Sequence, residues 1–252
     1  MSLQGGSRPA TPGSPAAAVL SVLLLAGCGA LPSVPGPLPT DLVPSHAPVA
    51  EPTQTGNLSV DGFDAAQQMA VRIRNVGCSS LSTGSGFALD ESTLITNRHV
   101  VADSADLQVS TYDGRDIAVT AASIAGLADL AVVRTAEPLP AAPVLAEDDP
   151  TTGDEVTVVG YPLGGQLTVT SGHVIGTTTD PLNENLGEVL ITDAAVEPGS
   201  SGSAALDSEG RVIGVVYAKN STGMSFVVPV STLRAMLADD TSFVDSESCA
   251  TS

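Results

Sequence analysis

From about residue 70 to residue 230 the chain is broken into short apolar runs at nearly even spacing, and that rhythm limits the folds open to it. β-type runs occur at Gly86–Leu89, Thr93–Thr96, Leu107–Thr111, Ile117–Ser123, Leu130–Arg134, Glu155–Tyr161, Gln166–Ile175, Glu188–Thr192, Val212–Ala218 and Ser225–Pro229. Turn-forming residues separate them, as at Asp113-Gly114, Ser208-Glu209-Gly210 and Asn220-Ser221. Short strands at this spacing predict an all-β sandwich or barrel rather than alternating strands and helices. Helix is expected only at the ends: a short one within Asp64 to Arg74, leading into a strand, and a second at Ser231 to Leu237 with Ser231 as its N-cap. The proline-bearing segment Glu137 to Pro150 divides the runs into two groups, so two β-subdomains joined by a linker are expected.

Hydrophobic residues make up 42% of the 252 positions, enough for a sizeable core, but aromatics are 3% and Trp is absent. The core must therefore be built from Val, Ala, Leu and Ile. A formal charge of −19 argues against a nucleic-acid partner, whose phosphates need Lys and Arg, and reads most simply as solubility. Three His among scattered acids lack metal-ligand spacing, and no phosphate-binding loop occurs, so neither metal nor cofactor is expected.

The N-terminal part reads as an export device. Ala16 to Ala26 is apolar but too short to span a bilayer, and suits the core of a signal peptide over residues 1–27. Leu25-Ala26-Gly27-Cys28 resembles the lipobox of bacterial lipoproteins, whose Cys receives a diacylglyceryl group. Residues 28–59 are proline-rich and read as a disordered tether, with a folded domain over 60–240 and a tail over 241–252. With Cys28 lipidated, Cys78 and Cys249 remain and can pair in an oxidising compartment. The expected location is the outer face of a bacterial cytoplasmic membrane, with secretion as the alternative.

Three places carry chemistry. Leu94-Ile95-Thr96-Asn97-Arg98-His99-Val100-Val101 sets a His just past an apolar run. Leu127-Ala128-Asp129-Leu130-Ala131-Val132-Val133 sets an Asp at the head of another, where a carboxylate is costly to bury without a partner. Gly199-Ser200-Ser201-Gly202-Ser203 flanks Ser201 with residues small enough for a tight turn that presents a hydroxyl. Acyl transfer needs these types: a hydroxyl nucleophile, an imidazole base, a carboxylate to orient the imidazole, and backbone N–H groups for the oxyanion.

Together these motifs resemble the chymotrypsin-fold (trypsin-like) serine proteases, specifically the bacterial Deg/HtrA-type branch. Gly160-Tyr161-Pro162-Leu163-Gly164, Thr168-Val169-Thr170-Ser171-Gly172 and Gly223-Met224-Ser225-Phe226-Val227-Val228-Pro229 extend the resemblance, which covers about 71–237. It implies two six-stranded Greek-key β-barrels, at about 65–140 and 150–230, with a short C-terminal helix and the site between them. It further implies a catalytic triad of His99, Asp129 and Ser201, with the N–H groups of Gly199 and Ser201 as oxyanion hole. Ala195 is expected near the base of the specificity pocket, and Met224, Ser225 and Phe226 on an edge strand that pairs with substrate.

Some positions depart from the branch. Ser200 and Ser203 stand where Asn or Asp and Gly are usual. With only 15 residues after Leu237, the PDZ domain usual there is not expected. The expected activity is a serine endopeptidase acting on proteins or peptides; the alternative is a silent protease-fold scaffold that binds a partner. Replacing the anchor residue, Cys28→Ser, is expected to release the protein from membranes on fractionation; persistent membrane association would rule out anchoring through this thiol.

Overall fold

The computed structural model describes residues 64–126, 128–182, 187–246 and 249. The expected signal segment, Cys28 and the tether lie outside the described residues.

Helix α1, Ala65–Gln68, begins at Asp64 with a reciprocal capping box: Asp64 accepts from Gln67 N, and the Gln67 side chain accepts from Asp64 N. Seven strands follow: β1 (Ala70–Gly77), β2 (Leu81–Asp90), β3 (Thr93–Thr96), β4 (Ser104–Thr111), β5 (Asp116–Ile117), β6 (Val119–Ala125) and β7 (Ala131–Thr135). Helix α2, Arg98–Val101, intervenes after β3. Together with a last strand, β14 (Phe243–Asp245), they form one sheet in the order β14-β6-β7-β3-β2-β1-β4-β5. Ala118 alone separates β5 from β6, although these strands stand near opposite ends of the sheet. A one-residue link forces those ends together, so the sheet curls into the first barrel.

The second barrel is a closed ring of six: β8 (Glu155–Gly160), β9 (Thr168–Thr179), β10 (Glu188–Thr192), β11 (Ala204–Leu206), β12 (Val212–Lys219) and β13 (Ser225–Pro229), in the order β10-β13-β12-β11-β8-β9. All pairs are antiparallel, and the ring closes through β11, which is only three residues long. The architecture is the double β-barrel expected, with helix α3 (Val230–Leu237) near its end, but the first sheet counts eight strands where six were expected. Two further details differ. The first sheet recruits β14 from the region read as a tail. Ser231 does not cap α3; instead Asp149 accepts from Ser231 N at 2.9 Å and from Ser231 Oγ.

The core is aliphatic, as the composition requires. Val71, Ile73, Phe87, Leu94, Ile95 and Leu130 fill the first barrel, and Val156, Val158, Leu190, Ile213, Val216 and Val227 the second. The first cluster continues across the barrel interface through Val159, Tyr161, Val215, Tyr217 and Phe226. Cys78 and Cys249 lie with their Cα atoms 5.5 Å apart and their sulfurs at bonding distance.

Polar contacts between the barrels converge on one residue of β2, Ser85, which is fully buried. Its Oγ donates to Gly199 O at 2.8 Å and accepts from Tyr161 N at 2.8 Å. Its N–H donates to Ser201 O at 2.7 Å, and its carbonyl accepts from Thr96 Oγ1 at 2.6 Å. Ser85→Ala strips the partner from a buried carbonyl and a buried N–H. Urea unfolding is expected to show a loss of about 1–3 kcal/mol for each group left bare; stability equal to the parent would mean that water replaces the hydroxyl.

Candidate active site

His99 sits in the single turn of α2. Asn97 precedes it as N-cap in extended conformation, and its side chain does not cap the helix. Instead Asn97 Nδ2 donates to Asp129 O at 2.7 Å, holding the loop before β7 against α2. The carboxylate of Asp129 then meets His99 twice. Oδ1 accepts from the His99 backbone N–H at 3.0 Å, and Oδ2 lies 2.5 Å from Nδ1. An acceptor-only carboxylate at Nδ1 puts the imidazole proton there and leaves Nε2 as the basic nitrogen. The His99 side chain is 49% exposed and Asp129 21%, so the ring can reach a ligand while the acid is partly sheltered. The sequence placed both residues beside β-runs; the helical turn carrying His99 was not foreseen.

Ser201 comes from the second barrel, on the loop between β10 and β11. Gly199 and Gly202 both have positive φ, 97° and 87°. A Cβ on Gly202 would stand 2.0 Å from Ser85 O and 2.4 Å from Thr96 Oγ1, so only Gly lets this loop lie on β2 and β3. Thr96 is three residues from His99, and the loop is thereby docked on the barrel that carries the imidazole. Ser201 and His99 are not hydrogen-bonded to each other among the described residues; such bonds commonly tighten only when substrate arrives.

The N–H groups of Gly199 and Ser201 donate to no acceptor among the described residues, whereas those between and beyond them are used. Ser200 N donates to Glu197 O, Gly202 N to Val216 O, and Ser203 N to Ser200 O. Two idle donors flanking Ser200, on a loop fixed at both ends, form a candidate oxyanion site. A 3-10 turn at Pro162–Gly164 supports the loop from outside, with Leu163 N donating to Pro198 O at 2.6 Å. Leu163 takes φ 56° to make this contact, a left-handed conformation that non-glycine residues rarely adopt.

The two unusual serines are both accommodated. Ser200 Oγ accepts from Glu197 N at 3.3 Å, closing the turn locally. Ser203 is fully buried, and its Oγ would lie 1.9 Å from a Cβ on Gly160. The space left by Gly160 on β8 is what admits a side chain at 203.

Of the residues expected to contact substrate, Ser225 and Phe226 do not occupy an edge strand. In the extended segment before Ser201 burial alternates: Ala194 and Val196 are buried, while Ala195 and Glu197 face out. The cavity beside Ser201, about 80 Å³, is lined by Val196 and not by Ala195. Ser225 and Phe226 are not on an open edge. Ser225 pairs with Thr192 on one side and Lys219 on the other, and Phe226 with Ile191 and Ala218, because β13 lies between β10 and β12 along this stretch. Ser225 Oγ is held by Thr192 Oγ1 at 2.7 Å and by Ala194 O at 3.2 Å. Met224 belongs to the β12–β13 turn, where its N–H donates to Asn220 Oδ1.

An open edge near Ser201 lies instead on β12. Its pairing with β11 runs only from Val212 to Val215, loop residues Gly202 and Ser203 take up Val216, and beyond it only β13 is a strand partner among the described residues. In the sequence this run is the return strand of the β11–β12 hairpin, whose first strand leaves the serine loop. Beneath this strand Tyr217 OH donates to buried Asp180 at 2.7 Å. Burial first, then the Asp180 hydrogen bond and the charges of Asp180 and Asp129, push the Tyr217 phenol far above its ordinary pKa, so it stays protonated. Burial likewise raises Tyr161 to about 12. Among the described residues no cluster of His, Cys, Asp or Glu could hold a metal ion.

A double β-barrel with a Ser on the second barrel docked beside a His–Asp pair on the first defines the trypsin-like class. The chain belongs to the family of the trypsin-like peptidase domain, whose model matches residues 84–215. Bovine (Bos taurus) mitochondrial serine protease HTRA2 is 35% identical over 166 residues, which is 62% of this chain and 36% of that protein. The chain thus spans about a third of the length of such relatives. The crystal structure of the active form of the Rv3671c protease from M. tuberculosis superposes with a TM-score of 0.64 at 27% identity, covering 74% of this chain and 88% of that one. An HtrA-type protease solved with a tripeptide gives a TM-score of 0.61 at 29% identity, covering 69% of this chain and 60% of that one.

The fit of Ser203 against Gly160 gives a paired test. Gly160→Ala is expected to overpack the site and lower stability by about 1–3 kcal/mol in thermal unfolding. Ser203→Gly in the same chain is expected to restore part of the loss, since a Cβ at 160 would also stand 2.9 Å from Ser85 Oγ. A Gly160→Ala protein as stable as the parent would contradict the packing described.

Proposed function

We propose that this chain is a serine endopeptidase in which Ser201 is the nucleophile, His99 the general base and Asp129 the orienting acid. The observation that carries this reading is the double contact of the Asp129 carboxylate with His99, opposite a loop whose Gly199 and Ser201 N–H groups are left unpaired. His99 Nε2 takes the proton of Ser201 Oγ as that oxygen bonds to the substrate carbonyl carbon. The Gly199 and Ser201 N–H groups receive the resulting oxyanion. His99 then delivers the proton to the departing amine as the C–N bond breaks, leaving an acyl-enzyme that water cleaves by the same sequence in reverse. Peptide or protein substrates are supported by the tripeptide bound to the related HtrA-type protease. The backbone of Tyr217 to Lys219 offers the edge on which an extended substrate would add as a strand.

We place the enzyme outside the cytoplasm, tethered through a diacylglyceryl group on Cys28, on the strength of Leu25-Ala26-Gly27-Cys28 and the apolar run before it. A Cys78–Cys249 disulfide is consistent with that oxidising setting.

A fluorophosphonate probe is expected to label Ser201 covalently. Ser201→Ala should abolish labelling, and His99→Ala or Asp129→Asn should slow peptide hydrolysis by on the order of 10⁴-fold. A folded, oxidised protein that takes up no label would favour the scaffold alternative.

A further inference from the structure

We propose that Glu197 and Lys219 form a charge-neutral rim on the pocket that receives the side chain preceding the scissile bond, and that this rim excludes charged side chains from it. The inference rests on the endopeptidase reading above and names a specificity device for the same site.

The cavity beside Ser201 is small, about 80 Å³, and its apolar walls are Val196, Pro198, Val216 and Ala218. Ser200 and Ser201 also line it, and two charged residues complete the lining, Glu197 from the serine loop and Lys219 from the end of β12. They are paired with each other, Lys219 Nζ to Glu197 Oε2 at 2.6 Å. Among the described residues neither side chain has another ionic partner.

Either charge alone would set a preference. A bare carboxylate at the rim would attract Lys or Arg from a substrate, and a bare ammonium would attract Asp or Glu. Joined at 2.6 Å, the two charges largely cancel for anything approaching from the pocket. A charged substrate side chain would then lose hydration in an apolar cavity without gaining a free counter-charge. Small uncharged side chains meet neither penalty.

The pair is not a stability element. Glu197 is 59% exposed and Lys219 33%, and exposed pairs contribute little to folding. Glu197 is held in place without its carboxylate, because its backbone N–H and carbonyl both bond to Ser200. Changing either charge should therefore alter the rim and leave the loop intact.

The test compares the parent with Lys219→Met, Glu197→Gln and the double variant. The substrates are chromogenic peptides that differ only in the residue before the cut: Ala, Val, Lys or Glu. The parent is expected to prefer Ala and Val. Lys219→Met bares Glu197, and kcat/KM for the Lys peptide relative to the Val peptide should rise about 10-fold or more. Glu197→Gln bares Lys219 and should raise the Glu peptide similarly. The double variant should return to the neutral preference. If all four proteins label with the fluorophosphonate probe yet share one profile, the rim is not a determinant and the proposal falls. If the parent itself neither labels nor cleaves, the endopeptidase reading falls and takes the rim with it.

Discussion

The four hydrogen bonds of Ser85 hold the two halves of this site in one frame. Its hydroxyl ties the Gly199 carbonyl to the Tyr161 N–H, and its main chain grips Ser201 on one side and Thr96 on the other. The proposed triad draws on both barrels and would need a fixed distance between them, because small errors in reacting geometry cost orders of magnitude in rate. Apolar packing through Val159, Tyr161 and Val215 brings the barrels together, but apolar contact is non-directional. Directional bonds in a buried setting supply the register that packing cannot.

The serine loop shows how local chemistry is subordinated to that frame. Positive φ at Gly199 and Gly202, a left-handed Leu163 and a missing side chain at Gly160 are each unfavourable or neutral for folding taken alone. Collectively they leave two adjacent-but-one N–H groups without partners, in a segment where the backbone N–H groups of Ser200, Gly202 and Ser203 are all spent. Idle donors are what an anion-binding loop requires, and the neighbours that strain to maintain them are where sequence and fold disagree most.

The architecture was legible because turn spacing and strand length carry it: nine of the ten runs named in the sequence overlap a strand closely, and Ile117–Ser123 spans the β5–β6 junction. His99, Asp129 and Ser201 stand out in the sequence because each interrupts an apolar pattern with a residue that packing alone would not choose, and the structure brings the first two into contact. The placement of Ala195 and Ser225 was not legible. Ala195 and Val196 differ by one position in an extended segment, where one residue reverses the face, and nothing in Ala-Ala-Val says which faces in. Ser225 lies in a strand whose composition is silent about whether it has one neighbour or two. The pairing of Glu197 with Lys219 joins positions 22 apart and becomes visible only once the hairpin is closed.

Strand β14 belongs to the barrel that was begun first, although its residues come after every element of the second barrel. It pairs with β6 through Phe243–Ala125, Val244–Ile124 and Asp245–Ser123, and Cys249 follows beside Cys78 at the end of β1. During vectorial synthesis the outer edge of β6 therefore stays uncovered until the second barrel has been made. The half-site bearing His99 and Asp129 acquires its last supporting strand only after Ser201 exists, so this fold finishes both halves of the cleft together rather than one after the other.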